Sequence, residues 1–171
     1  MSKRKTRENV CHVLVDGDTA GQVLIFERTK DGVKEAGQVA VPSNGAVPAK
    51  VGARDWQLLL KPRLDVAWMS GEDVCLRMIE LPTSDPAEVA SMVDIQLEKI
   101  SPLPPSQVVA GFEVLGALPS GGVSVLVVIA PRAAVESRLD ALRARGFVVD
   151  RLDVAMAREL ASQATEDGLW I

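Results

Sequence analysis

Asp16-Gly17-Asp18-Thr19 is the stretch of this chain whose residue types and spacing could do phosphate chemistry. Backbone amides around a turn glycine form an anion-binding concavity, and neighbouring carboxylates can organise a hydrated magnesium ion. The same residues also read as a plain strand connection, because Asp-Gly is a favoured hairpin turn. Other chemistries have less to work with. His12 is the only histidine, so a Ser-His-Asp or Cys-His nucleophile would have to be built on a residue inside the first strand, beside Cys11. The alternative for His12 is a satisfied core or strand-edge histidine. Asp16 with Glu80, Asp94, Glu98 and Asp153 supplies the residue type that a two-metal nuclease needs. Asp94 and Glu98 read more simply as the solvated side of an amphipathic helix. Gly121-Gly122 lies within a hairpin, without the Gly-Lys-Ser/Thr or Gly-x-Gly-x-x-Gly company of a nucleotide loop.

Length and composition frame these candidates. A chain of 171 residues can bury a real core as one domain with lobes. With 47% hydrophobic and 25% charged residues it is globular in type. Val123 to Ala130, the longest apolar run, is too short to cross a bilayer, so a soluble chain without a transmembrane segment is expected. Cys11 and Cys75 sit in separate apolar runs without zinc or redox spacing and read as reduced core residues. A net charge of −4 argues against a nucleic-acid partner, which would select a basic face. Lys3-Arg4-Lys5 with Arg7 forms a basic tail that could touch an anionic membrane or remain a solvated arm. Arg138, Arg143, Arg145, Arg151 and Arg158 offer a second basic set, which could face a partner.

The elements that must position these residues alternate along the chain. Val10–Val15, Gly21–Arg28 and Val33–Val41 read as three antiparallel strands. Pro42 to Gly52 is a loop by composition, Ala53 to Leu60 a short helix stopped by Pro62, and Leu64–Met69 and Val74–Leu81 are strands. Asp85, Pro86 and Glu88 carry the cap, first-turn proline and capping-box glutamate of a helix whose buried stripe is Val89, Met92, Val93, Gln96, Leu97 and Ile100. Pro102, Pro104 and Pro105 end it. Val108–Leu115 and Val123–Ala130 follow as a hairpin, the second so apolar that it belongs at a sheet centre. Pro131 starts a helix with Val135, Leu139 and Leu142 inward, closed by Gly146. Phe147–Val154 reads as a returning strand and Ala155 to Gln163 as a last helix.

Four of these segments, in this order, resemble a known group. A strand ending in Leu81-Pro82 leads to Gln96-Leu97-Glu98 and Ser101-Pro102-Leu103-Pro104-Pro105; then come the apolar hairpin and the run from Ala130-Pro131-Arg132 to Gly146-Phe147. The stretch is similar to the actin-like cytoplasmic proteins of type IV pilus and type II secretion platforms, the PilM and GspL group, over about half the chain. The resemblance implies an α/β (mixed-sheet, α+β) fold: half of an actin-like, ribonuclease-H-type domain with an inserted smaller αβ lobe. On that implication residues 1–9 are a basic tail, 10–70 and 147–165 the first lobe, 71–146 the inserted lobe and 166–171 a tail. It also implies a non-catalytic scaffold at the cytoplasmic side of the inner membrane. Such a scaffold would bind cytoplasmic tails of inner-membrane partners, a motor ATPase and further copies of itself.

In actin-like ATPases an Asp-x-Gly-Ser/Thr turn joins the first two strands. Here Gly17 follows Asp16 directly, and Asp18-Thr19 leaves no second turn glycine until Gly21. Such a nucleotide site also draws on a second, homologous half, for which the residues after Asp153 are too few. The expectation is therefore no cofactor in this chain. ATP with magnesium enters only through a complete second half, in a nucleotide-dependent switch. A ribonuclease-H-like metal nuclease is the third alternative.

Overall fold

A computed structural model describes residues 10–15, 20–30, 32–42, 45–52 and 63–154. Its elements are β1 (Val10–Val15), β2 (Ala20–Thr29), β3 (Gly32–Pro42), α1 (Ala49–Gly52), β4 (Arg63–Met69), β5 (Cys75–Leu81), α2 (Pro86–Ile100), β6 (Val108–Ala117), β7 (Val123–Pro131), α3 (Arg132–Ala144) and β8 (Arg151–Val154). Single 3₁₀ turns cover Gly71–Asp73 and Pro105–Gln107. The fold is mixed α/β, and its strands fall into two sheets. The Asp16–Thr19 turn, the expected helix at Ala53–Leu60 and the expected last helix at Ala155–Gln163 lie outside the described residues.

The chain divides into two compact units, residues 1–68 with 137–153, and residues 69–136 with 154–171. The first holds a five-stranded mixed sheet in the order β3-β2-β1-β4-β8. β1 pairs antiparallel with β2 and β2 with β3, as the three opening apolar runs predict. β1 and β4 pair in parallel, with His12 beside Asp65 and Leu14 beside Ala67. A parallel pair needs a crossover, and α1 lies on it. Because paired residues share a sheet face, Leu14, Val23 and Ala67 form one apolar surface. Val41, Val47, Val51, Leu142 and Phe147 complete that core.

Leu142 assigns the C-terminal part of α3 to this first unit. That helix end follows the core that receives its apolar side chains. The end of α3 is set by Gly146, whose φ of 81° is a left-handed conformation that costs glycine little. The Gly146 amide donates to the Arg143 carbonyl at 2.9 Å and the Phe147 amide to the Leu142 carbonyl at 2.9 Å, a Schellman closure. Phe147 thereby enters the core as a fully buried side chain. The returning strand is consequently shorter than expected: only Arg151–Val154 is extended and paired.

The second unit is an antiparallel sheet in the order β5-β7-β6, with α2 on one face. β7 is central and largely buried, as its apolar run requires. Val89 and Val93 of α2 are buried, and Met92, Leu97 and Ile100 partly so, against Leu81, Val123, Val125, Val127 and Ile129. The α2 cap differs in detail from a capping box. Asp85 Oδ1 accepts from the Ala87 and Glu88 amides at 2.9 and 3.1 Å. Glu88 does not reach back to the Asp85 amide; Thr83 mediates, its hydroxyl donating to Glu88 Oε2 at 2.6 Å and accepting from the Asp85 amide at 3.2 Å.

Candidate functional site

The ladder between β1 and β2 ends at the pair Val15 and Gln22. Asp16, Gly17, Asp18 and Thr19 fall in the connection beyond that pair, outside the described residues. Glu80 is exposed on β5, Asp94 and Glu98 are exposed on α2, and Asp153 on β8 pairs with Arg151 at 2.7 Å. Among the described residues no group of three His, Cys, Asp or Glu side chains could hold a metal ion. Cys11 and Cys75 are each half-buried.

The first unit instead builds a buried polar cluster. Asp65 is 1% exposed and His12 6%, side by side on the parallel strands β1 and β4. Arg63 Nη2 holds Asp65 Oδ2 at 2.8 Å, and both side chains are shielded from solvent. His12 Nδ1 lies 3.5 Å from Asp65 Oδ1. The Asp65 backbone is pinned as well: its amide donates to Asp150 Oδ2 at 2.9 Å, and the Asp150 amide donates to its carbonyl at 2.8 Å. Burial pushes the His12 pKa below the usual 6.5, and the Arg63 charge adds to that. Asp65 and a hydrogen bond to the Val51 backbone oppose the shift. His12 is therefore neutral at pH 7, beside a carboxylate whose charge Arg63 balances.

In the sequence His12 reads only as a nucleophile's partner or as a core residue, and its pairing with Asp65 is not visible there. A signal is nonetheless present: Asp65 interrupts the otherwise apolar run Leu64 to Met69, with Arg63 just before it, and a buried charge requires a partner.

Among the described residues Arg138, Arg143, Arg145 and Arg151 are each engaged separately, and Arg158 lies outside the described residues. Arg145 donates from Nε to the Gly45 carbonyl at 3.1 Å and from Nη2 to the Pro42 carbonyl at 3.2 Å, while its own carbonyl accepts from the Val47 amide at 2.7 Å. It thus fastens the segment from the end of β3 to α1. Arg138 donates to the Trp68 carbonyl at 3.3 Å. Arg143 pairs with Asp140 on the helix surface.

In the second unit β6 lies at the sheet edge and carries Val109, Phe112 and Val114 at 39%, 41% and 47% exposure. Glu113 is its one charged residue. The register shifts between Val114 and Gly116, a bulge that bends the strand. An edge of this kind offers main-chain groups and alternating apolar side chains to an extended segment. At the start of the strand, Val108 stands opposite Pro131, which has no amide hydrogen. The Val108 carbonyl accepts from Arg132 Nη2 at 3.0 Å, and the Ser106 carbonyl accepts from Arg132 Nε at 3.3 Å.

No protein-family model and no curated protein matches the sequence. Solved structures do resemble the chain. One is the PilM-PilN type IV pilus biogenesis complex, similar over 90% of this chain and 49% of that one, with 27% identity and a TM-score of 0.57. Another is the cytoplasmic domain of EpsL, an inner-membrane component of the Vibrio cholerae type II secretion system. It gives 18% identity and a TM-score of 0.47, over 85% of this chain and 57% of that one. A third, a Bacteroides thetaiotaomicron protein with an actin-like ATPase fold and unknown function, gives 7% identity and a TM-score of 0.41, over 95% of this chain and 58% of that one. The chain thus spans about half the length of the structures it resembles. No helix among the described residues is long and apolar enough to cross a membrane.

Proposed function

We propose, from the premise that this chain is a PilM-like protein of actin-like fold, that it acts as a non-catalytic scaffold in a type IV pilus or type II secretion assembly. The observation that carries this reading is the likeness to the solved PilM-PilN complex, which extends over 90% of the chain. The scaffold works at the cytoplasmic side of the inner membrane and binds the cytoplasmic tail of an inner-membrane partner. A motor ATPase and further copies of the chain are additional partners in this reading. Nucleotide has no role in the chain by itself.

Calorimetric titration of the chain with synthetic peptides covering cytoplasmic N-terminal segments of inner-membrane pilus and secretion proteins tests the proposal. Saturable binding of one such peptide, with a scrambled peptide silent, is the expected result. Absence of binding across the set counts against the scaffold reading.

A further inference from the structure

Gly111 stands in the middle of β6 with no reason for glycine inside its own unit. Its φ is not positive, and a β-carbon built on it would meet nothing within 4 Å. A glycine inside a strand weakens it and often marks the close approach of another backbone. Gly116 differs, because it lies at the register shift after Val114. Among the described strands the outer side of β6 has no partner, in the order β5-β7-β6. The strand carries neither lysine nor proline, two usual guards of an edge, and its one charge is Glu113.

We propose that β6 pairs antiparallel with β6 of a second copy of this chain, about a two-fold axis at Gly111. The ladder with β7 is regular from Val108 to Val114, bounded by the 3₁₀ turn Pro105–Gln107 before it and the register shift after it. Gly111 is the midpoint of that segment. An axis there uses its whole length, setting Val108 opposite Val114, Val109 opposite Glu113 and Ala110 opposite Phe112 of the other copy. Cross-strand partners share a sheet face. Each of these pairs obeys that rule: Val108, Ala110, Phe112 and Val114 lie on the α2 side, and Val109, Gly111 and Glu113 on the other.

Size and charge both favour a second copy as the occupant. Small Ala110 receives the exposed Phe112 ring, and exposed Val114 meets Val108. Glu113 faces exposed Val109 rather than another charge, and the two glutamates stand about 14 Å apart along the strands. An axis on Phe112 instead would bring them to about 7 Å along the strands, where like charges oppose pairing. At Gly111 the two backbones meet with no side chain between them. A single strand pair is smaller than the roughly 1,200 Å² of a stable interface, so the pairing needs high concentration or an assembly that gathers copies. The inference rests on the part of the proposed function that makes further copies partners, and not on the part that assigns a membrane-protein tail.

Sedimentation equilibrium of the full chain from micromolar to millimolar concentration, with ¹⁵N amide spectra over the same range, tests this. We expect a mass that rises from monomer toward dimer, and concentration-dependent amide shifts centred on Gly111. Gly111→Lys is admitted by the open space at that position and sets two like charges across the axis. It should stay a folded monomer throughout. Met78→Lys, on the opposite edge strand β5 at 64% exposure, should leave the association unchanged. A monomer at millimolar concentration, a dimer that survives Gly111→Lys, loss of the dimer in Met78→Lys, or shifts centred on another surface would each overturn the proposal. If Gly111→Lys does not fold, the wild-type mass and shifts still decide. Binding of tail peptides is read in a separate titration, so failure of the tail partner and failure of this pairing are told apart.

Discussion

Gly52 and Gly146 lie in backbone contact: a β-carbon added to Gly52 would come within 2.5 Å of the Gly146 carbonyl oxygen. That oxygen belongs to the closed end of α3 and cannot swing aside as a side chain can. Gly52→Ala should therefore destabilise the protein by about 1–3 kcal/mol, the usual cost of overpacking. Urea denaturation, with the midpoint lowered and the slope unchanged, checks this.

Leu142 is fully buried among Leu14, Val41, Val51 and Phe147. Leu142→Ala leaves a cavity in the first unit and should cost about 2–5 kcal/mol. The exposed apolar Ile95 on α2, at 72% exposure, provides the control. Ile95→Ala should stay within about 0.5 kcal/mol in the same denaturation series.

The α2 cap predicts an ordered pair of effects. Asp85→Ala removes the acceptor for the Ala87 and Glu88 amides and should lose about 1 kcal/mol. Thr83→Val breaks only the exposed relay to Glu88 and should lose less. Thermal unfolding of the two variants ranks them, and the reverse order would contradict the cap geometry.

His12 makes stability depend on pH with a definite sign. Its folded-state pKa is lowered, chiefly by burial, so between the usual 6.5 and that lower value the unfolded chain binds the proton and the folded chain does not. The contribution is complete above 6.5 and is lost as pH falls toward the lowered value. Unfolding free energies measured at steps from about pH 7.5 down to about pH 5 should fall, and His12→Gln should flatten that part of the curve.

The Asp16–Thr19 turn is tested by calorimetry with magnesium-ATP. The scaffold reading expects no heat of binding at millimolar nucleotide. Binding that disappears in Asp16→Ala would restore the nucleotide-switch alternative.

Much of this architecture is legible locally. The α2 start is written in Asp85, Pro86 and Glu88, the centrality of β7 in its unbroken apolar run, and the end of α3 in Gly146. Relations that run through a crossover are not. The pairing of His12 with Asp65 depends on β4 lying parallel to β1, and no local periodicity encodes that register. Phe147 reads as a strand residue from its β propensity, yet the left-handed turn before it sends its ring into the core, where burial outweighs extension.

Arg132 gives the last consequence. A single guanidinium supplies Val108 with the donor that Pro131 lacks, and it belongs to the first residue of α3. Strand start and helix start therefore share one fastener. If the first turn of α3 frays, the β6 end of the ladder should loosen with it, so local opening here is a joint event of helix and strand.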